Sequence, residues 1–328
     1  MDPFSRLSAP RVLSLRIPYS AASATSATFA TTIDAVETAA QDTRRAACAR
    51  AAAARLNGGD SSDDLGSSDG EDEGEAAVLR VQTLPVAATI GGKVWDASLL
   101  LSAWILECSS GGGRHRFPPA GSRVLELGAG LGIVGLALAE ALPAVAVTLS
   151  DYDPALLHNL EENIRLNAAT TCSVAHVDFR DFERQAGAAV PPKYAEAGLC
   201  GYDMLIGSDI VYDSYHGQLA SVCLALLAPS PPAAAAAEGG WRPCALFMLP
   251  DSRPRLREFV DELAAVGLEC RIEAFDSECA MVHRLRRAHE GWGVDATFSL
   301  YFVSRALSPP AVSAGGPLPP PPPPGPPP

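Results

Sequence analysis

Between residues 124 and 304, short apolar runs alternate with longer segments in which apolar residues recur at helical spacing. The apolar runs predict seven strands, at 124–127, 144–150, 172–178, 203–208, 244–249, 268–275 and 297–304. The periodic segments predict helices between them, at 131–141, 154–167, 215–227 and 254–266. This alternation is typical of an α/β fold with a mainly parallel sheet and helices on both faces. The last two strands lack a good intervening helix, which predicts an antiparallel edge hairpin.

Two further segments with alternating apolar and polar residues precede this region, at 13–17 and 79–90. They are predicted to pair as a β-hairpin, so that residues 1–39 form an N-terminal segment with one short strand. A transit peptide is the competing interpretation of residues 1–30, because serines and alanines surround three arginines, Arg6, Arg11 and Arg16. The strand is favoured.

Low-complexity segments mark the limits of the predicted domain, which covers residues 78–305. Residues 40–77 are predicted to be a disordered acidic insertion, since eight acidic residues and no basic residue fall between 60 and 75. Residues 306–328 are predicted to be a disordered proline-rich tail with polyproline II character. An SH3- or WW-type partner for this tail is one hypothesis, and a plain spacer is favoured over it.

Charge and cysteine usage narrow the class of protein. The formal net charge of -13 argues against a nucleic-acid partner. No apolar run approaches the twenty residues of a membrane span. The eight cysteines form no Cys-x-x-Cys pair and no zinc-ligand spacing with histidine, so no metal site is predicted. Reduced thiols favour a cytoplasmic protein, with the nucleus as the second location, and a monomer is expected.

A glycine cluster between the first predicted strand of the sheet and the following helix is typical of a cofactor loop. It satisfies the dinucleotide fingerprint, at Gly130, Gly132 and Gly135. Glu126, two residues before Gly128, is expected to place a carboxylate at the mouth of the loop, where it would repel a pyrophosphate. S-adenosylmethionine carries a sulfonium and an ammonium and no phosphate, so it is the favoured cofactor.

In a parallel sheet, ligands bind beyond the carboxyl ends of the strands, so the residues that follow each strand are candidates. Asp151 follows the second strand and is predicted to accept the cofactor's ribose hydroxyls, while Asp153 caps the next helix. Asp178 and Phe179 follow the third strand. The carboxylate is predicted to accept from the adenine amine and the ring to lie on the base, although a core role for Phe179 is nearly as well supported.

The segment after the fourth strand faces the place where a methyl group would leave. It reads Ser208-Asp209-Ile210-Val211-Tyr212 and lacks the double proline of the adenine N6-methylases. Ser208 is assigned to the cofactor side. Asp209 is predicted to hold a cationic or amine acceptor, and the ring of Tyr212 to wall the channel.

Taken together, these residues and Trp95 make the chain resemble the methyltransferase-like protein-lysine methyltransferases, the family-sixteen class I enzymes. The resemblance covers about residues 78–305 and implies a Rossmann-like seven-stranded sheet and a protein substrate with an accessible lysine. It also implies an Asp-x-x-Tyr motif on the substrate side, at Asp209 and Tyr212. The cofactor contacts that it implies are Trp95, Glu126, Gly128 and Asp151. Many relatives carry tryptophan where this chain has Phe179, which weakens the prediction of adenine stacking.

The predicted activity is therefore methyl transfer from S-adenosylmethionine to a protein side-chain nitrogen, with lysine favoured. A lysine amine attacks only in its neutral form, so proton loss to solvent precedes transfer, and no dedicated general base is predicted. Three alternatives stay open: a methyltransferase for a small molecule or another protein nitrogen, a non-catalytic cofactor-binding scaffold, and a dehydrogenase, against which Glu126 argues.

Overall fold

The computed structural model describes residues 11–18, 76–84, 89–109, 117–183, 189–212, 216–230, 241–288 and 296–306. Within these ranges the strands are β1 (Arg11–Pro18), β2 (Ala76–Thr83), β3 (Arg123–Glu126), β4 (Ala146–Asp151), β5 (Cys172–His176), β6 (Met204–Ser208), β7 (Cys244–Pro250), β8 (Leu268–Ala274) and β9 (Phe298–Arg305). The helices are α1 (Asp96–Glu107), α2 (Ile133–Ala141), α3 (Pro154–Leu166), α4 (Pro192–Glu196), α5 (His216–Leu226), α6 (Leu256–Ala265) and α7 (Ala280–Ala288).

Seven strands form one sheet in the order β5-β4-β3-β6-β7-β9-β8. Strands β3 to β7 are parallel, whereas β9 runs antiparallel to both β7 and β8. The predicted mainly parallel sheet with an antiparallel edge is confirmed. From β3 the chain continues to β4 on one side and later returns to β6 on the other side. Such a reversal of strand order opens a crevice at the carboxyl ends of the strands.

Two helices between strands of the sheet, α4 and α7, were missing from the sequence prediction. Helix α7 lies between β8 and β9, which were expected to follow one another directly. Its buried residues Met281, Val282 and Leu285 form a single apolar face, and the intervening positions are basic. The high charge of this segment hides a short amphipathic helix from a search for apolar runs.

The predicted N-terminal hairpin is present, with β1 antiparallel to β2 and Leu15 opposite Leu79. Strand β2 ends at Thr83, earlier than expected, and Ile90–Gly92 forms a 3-10 turn instead. The strand also begins at Ala76, inside the segment expected to be disordered. The rest of the acidic insertion, the first ten residues and the proline-rich tail from residue 307 lie outside the described residues.

Two apolar cores cover the two faces of the sheet. Strand alternation divides them: Val124 belongs to the core that contains α1, α2 and the hairpin, and Leu125 belongs to the core that contains α5 and α6. Among the described residues, no helix has the combination of length and apolarity that a membrane crossing requires.

A row of asparagines on α3 attaches the hairpin to the domain. Asn163 accepts from the backbone N–H of Gln82 on β2 and donates to the carbonyl of Leu131 in the glycine loop at 2.9 Å. One turn on, Asn167 accepts from the N–H of Arg80 at 2.6 Å. These side chains supply the hydrogen bonds that a neighbouring strand would otherwise supply, so they satisfy one edge of β2.

Replacing Asn163 by alanine should lower the free energy of unfolding by about 2 kcal/mol, because the part-buried N–H of Gln82 and the buried carbonyl of Leu131 both lose a partner. Chemical denaturation measures the change. The matched control is Glu161→Ala on the exposed face of the same helix, which should cost less than about 0.5 kcal/mol. Equal effects of the two substitutions would contradict the role of the asparagine row.

Candidate functional site

A cleft of about 400 Å³ lies at the carboxyl ends of β3, β4, β5 and β6, where the strand order reverses. Nine of the eleven predicted site residues line it: Trp95, Gly128, Gly130, Asp151, Asp178, Phe179, Ser208, Asp209 and Tyr212. The other two, Glu126 and Gly132, are not among its lining residues. Residues that are far apart in sequence thus meet in one cavity, as the rule on strand ends predicts.

The glycine loop approaches another backbone segment very closely. Gly130 has a φ of 54°, a left-handed conformation that favours glycine. A Cβ atom there would lie 2.9 Å from the carbonyl oxygen of Gly91, so the turn at Ile90–Gly92 packs directly on the loop. The N-terminal part of the domain therefore forms one wall of the cleft, in agreement with the predicted contact at Trp95.

Asp151 ends β4 and is buried, with a carboxylate that organises the loop as well as facing the cleft. It accepts from the N–H of Gly130 at 3.1 Å, of Tyr152 at 2.8 Å and of Asp153 at 3.2 Å. Burial raises the pKa of Asp151, and these three hydrogen bonds oppose the rise. A carboxylate offers about four acceptor positions, so few remain for a ribose hydroxyl.

Glu126 does not occupy the mouth of the loop, as the sequence had suggested. Its side chain is 2% exposed and lies beneath the start of α2, where it accepts from the N–H of Gly135 at 2.8 Å. Burial raises its pKa to about 8, so the carboxyl is mostly protonated at pH 7. The argument that its charge repels a pyrophosphate is therefore wrong, and Glu126 supports the loop from behind.

Asp178 and Phe179 both line the cleft, but their surroundings differ from the simplest expectation. Arg180 holds the carboxylate of Asp178 through Nε and Nη2, and this hydrogen bonding lowers the pKa of Asp178. Phe179 packs against the second core while it also faces the cleft, so its two proposed roles are compatible.

Trp95 stands at the start of α1, where its extended backbone caps the helix. The indole Nε1 donates to the carbonyl of Ile90 at 3.2 Å, and Lys93 places its Nζ 3.7 Å from the ring centroid. The ring is thus tied to the turn that packs on the glycine loop, in a cation–π contact with a lysine that also lines the cleft.

Asp209 lies next to β6, but its carboxylate is not available as a lone charge. Arg253 binds it in a bidentate ion pair, with Nε to Oδ1 at 2.7 Å and Nη2 to Oδ2 at 2.5 Å. Ser208 and Tyr212 flank Asp209 in sequence and line the same part of the cleft, where the Tyr212 side chain is 44% exposed.

Sequence reasoning missed three basic residues that line the cleft, Lys93, Arg180 and Arg253. For Arg253 a signal existed, because it follows β7 and so satisfies the same strand-end rule that identified Asp151 and Asp209. The same signal existed for Arg180, which follows Asp178 and Phe179 after β5. For Lys93 the sequence offers no comparable signal, since its position depends on a turn.

The chain is similar to known lysine methyltransferases. Residues 75–237 match the protein family described as "Lysine methyltransferase". Calmodulin-lysine N-methyltransferase from Arabidopsis thaliana is 28% identical over 177 residues, which is 52% of this chain and 52% of that protein. Protein N-lysine methyltransferase METTL21A from Danio rerio is 33% identical over 129 residues, covering 38% and 49% respectively. The chain spans about half the length of the curated relatives it matches.

Among solved structures, precorrin-6y C5,15-methyltransferase from Geobacter metallireducens aligns with a TM-score of 0.38 and 9% identity. The alignment covers 56% of this chain and 80% of that one. A likeness at this level carries no argument about function.

The buried Glu126 predicts an unusual pH dependence of stability. Its pKa rises from an ordinary 4.5 to about 8 on folding, so the folded state binds the proton more tightly. The resulting stabilisation is complete below pH 4.5 and is lost as the pH rises towards 8. Glutamine does not titrate, so the melting temperature of Glu126→Gln minus that of the parent should increase steadily from pH 5 to pH 8.

Thermal unfolding at a series of pH values measures this difference, and Glu140→Gln on the exposed surface of α2 is the control. The control should show a flat difference over the same range. A flat or falling difference for Glu126→Gln would show that the buried carboxyl is ionised in the folded protein.

Proposed function

We propose that this chain, which belongs to the lysine methyltransferase family, binds S-adenosylmethionine in the cleft and methylates a lysine amine of a protein substrate. The observation that carries the proposal is that one cavity joins the glycine loop and Asp151 with Asp209 and Tyr212. The sites proposed for the nucleoside and for the amine acceptor would thus lie side by side, as a transfer reaction requires.

The residues of the cleft fit the chemistry of the cofactor. The carboxylate of Asp151 faces the cleft at the end of β4, where it can accept from a ribose hydroxyl. Gly128 and Gly130 bring the loop backbone to the wall of the cleft, and Phe179 offers a ring for the base. When bound, S-adenosylmethionine supplies an activated methyl group on a sulfonium.

The contribution of Glu126 changes within this proposal. It supports cofactor binding indirectly, since its carboxyl holds the N–H of Gly135 and so fixes the start of α2 under the loop. Gly132 is likewise part of the loop and not of the cleft wall, with its N–H donated to the carbonyl of Ala129 at 2.7 Å. Trp95 and Ser208 remain proposed cofactor contacts.

The rim of the cleft suits a protein acceptor. Ile90, Tyr152 and Tyr212 are large apolar side chains that are about half exposed, and all three line the cleft. Exposed apolar groups gathered at one opening mark an interaction surface. The two relatives described above are named for methylation of protein lysines, one of them on calmodulin.

On the acceptor side, Asp209 and Tyr212 would orient the substrate amine. The amine must lose its proton to solvent before it can attack, because only the neutral form is nucleophilic. Positioning in a slot that excludes water would then supply most of the rate. A cytoplasmic location and a monomeric state, expected from the sequence, stay predictions.

The test is incubation of the purified protein with methyl-labelled S-adenosylmethionine and a cell extract, followed by mass spectrometry of the labelled proteins. Label on lysine is expected. Asp209→Asn should reduce the label on the order of a hundredfold with affinity for S-adenosylhomocysteine nearly unchanged, and Tyr212→Phe should reduce it less. Asp261→Asn, an exposed position on α6, is the control and should behave as the parent.

Two results would overturn the proposal. Label confined to small molecules or to other side chains would exclude a protein lysine as the acceptor. Full activity of Asp209→Asn, or loss of cofactor binding in that variant, would remove Asp209 from the acceptor side.

A further inference from the structure

The ion pair between Asp209 and Arg253 is built by the sheet. Asp209 follows β6, and its N–H donates to the carbonyl of Met248 on β7 at 2.9 Å. Arg253 follows β7, and its N–H donates to the carbonyl of Pro250 at 3.1 Å. Neighbouring parallel strands thus deliver the two partners to one edge of the cleft.

The pair is also shielded and conformationally fixed. The side chain of Asp209 is 8% exposed and that of Arg253 is 30% exposed. Asp209 has a φ of 52°, in the left-handed region that aspartate tolerates better than most residues. The hydrogen bonds between Arg253 and Asp209 raise the pKa of Arg253, so the arginine stays charged at any working pH.

A free carboxylate at this place would oppose the proposed reaction. An opposite charge within about 4–6 Å stabilises an ammonium and raises its pKa. A lysine held beside an unpaired Asp209 would keep its proton and lose its nucleophilicity. With Arg253 in place the pair has no net charge, so Asp209 can align the amine by hydrogen bonding without retaining it as a cation.

The other ionisable groups that line the described part of the cleft do not take over this role. Asp178 and Arg180 neutralise each other, and Asp151 is held by three backbone N–H groups. Lys93 lies over the ring of Trp95, and the remaining ionisable side chains of the lining are the phenols Tyr152 and Tyr212. Near Arg253, Asp251 accepts from the hydroxyl of Ser299 at 2.8 Å.

We propose that Arg253 is a positioning residue that cancels the charge of Asp209 and so allows the bound acceptor lysine to lose its proton to water near neutral pH. The inference rests on the proposed function and extends it to the protonation state of the acceptor. It assigns to the end of β7 a role in the rate of transfer and not in the binding of either reactant.

The test is the pH dependence of turnover, measured at saturating S-adenosylmethionine with the protein that is labelled on lysine in the extract experiment. In Arg253→Gln the rate at pH 7 should fall on the order of tenfold and recover towards that of the parent by pH 10. In Asp209→Asn the rate is lower at every pH, but its rise with pH should begin at lower pH than in the parent. The double variant should return the onset to that of the parent.

Two matched variants and a binding measurement separate this effect from a structural one. Arg253→Lys keeps the positive charge and should keep the parent's pH profile. Arg255→Gln alters a neighbouring arginine that pairs with the exposed Glu258, and as the control it should keep the profile too. With S-adenosylhomocysteine present, Arg253→Gln should bind the substrate protein at pH 7 at least as tightly as the parent, because the free carboxylate attracts the ammonium.

The outcomes are distinguishable. A loss of activity in Arg253→Gln that is the same at every pH, or weaker substrate binding in that variant, would overturn the inference while the proposed function stands. If Arg253→Gln does not fold, the Asp209→Asn variant decides. The inference is overturned if the turnover rate of that variant begins to rise at the same pH as in the parent. A parent protein that labels no lysine removes the proposed function and this inference with it.

Discussion

Two buried carboxyl groups hold the glycine loop in the shape on which the cleft depends. Glu126 accepts from the N–H of Gly135 at the start of α2, and Asp151 accepts from Gly130 within the loop. Gly130 lies in irregular backbone and Gly135 in the first turn of α2, so neither N–H has a partner within regular secondary structure. A buried N–H without a partner would cost about 1–3 kcal/mol. The carboxyl groups at the ends of β3 and β4 replace the missing backbone partners.

Because of these hydrogen bonds and of burial, the two acids at the loop do not place two free negative charges beside the cleft. Glu126 is mostly protonated at pH 7, whereas Asp151 receives three backbone N–H groups that oppose the effect of burial. The first carboxyl therefore has a mainly structural role, and the second is both structural and exposed to the cleft. At the opposite side of the cleft, Arg253 forms an ion pair with Asp209. None of these three acids therefore faces the ligand as an unpaired charge.

Much of the fold and most of the cleft could be predicted from sequence, because strand order and strand ends follow from apolar periodicity. The direction of Glu126 could also have been predicted, since it is two residues from the buried Val124 and so points to the same face of the sheet. The glycine at position 135 leaves space there, because a Cβ atom would lie 2.6 Å from the Glu126 carboxylate.

Other features depend on contacts that local pattern does not encode. The partner of Asp209 is 44 residues away and follows another strand. The contact between Gly130 and Gly91 joins the loop to a turn that precedes α1. Helix α7 was missed because its apolar face is short and its other positions carry charge. In the first two cases, tertiary packing decided a question that the sequence left open.

The most direct test of the account is calorimetric titration of the protein with S-adenosylhomocysteine and, separately, with NADH. The account predicts dissociation constants on the order of micromolar for S-adenosylhomocysteine. It also predicts no binding of NADH, on the ground of the family match and not of Glu126. Asp151→Asn should weaken the binding of S-adenosylhomocysteine about thirtyfold, the equivalent of ~2 kcal/mol. Asp153→Asn, which keeps an N-cap for α3, should leave it unchanged. Tight binding of NADH, or equal effects of the two substitutions, would contradict the account.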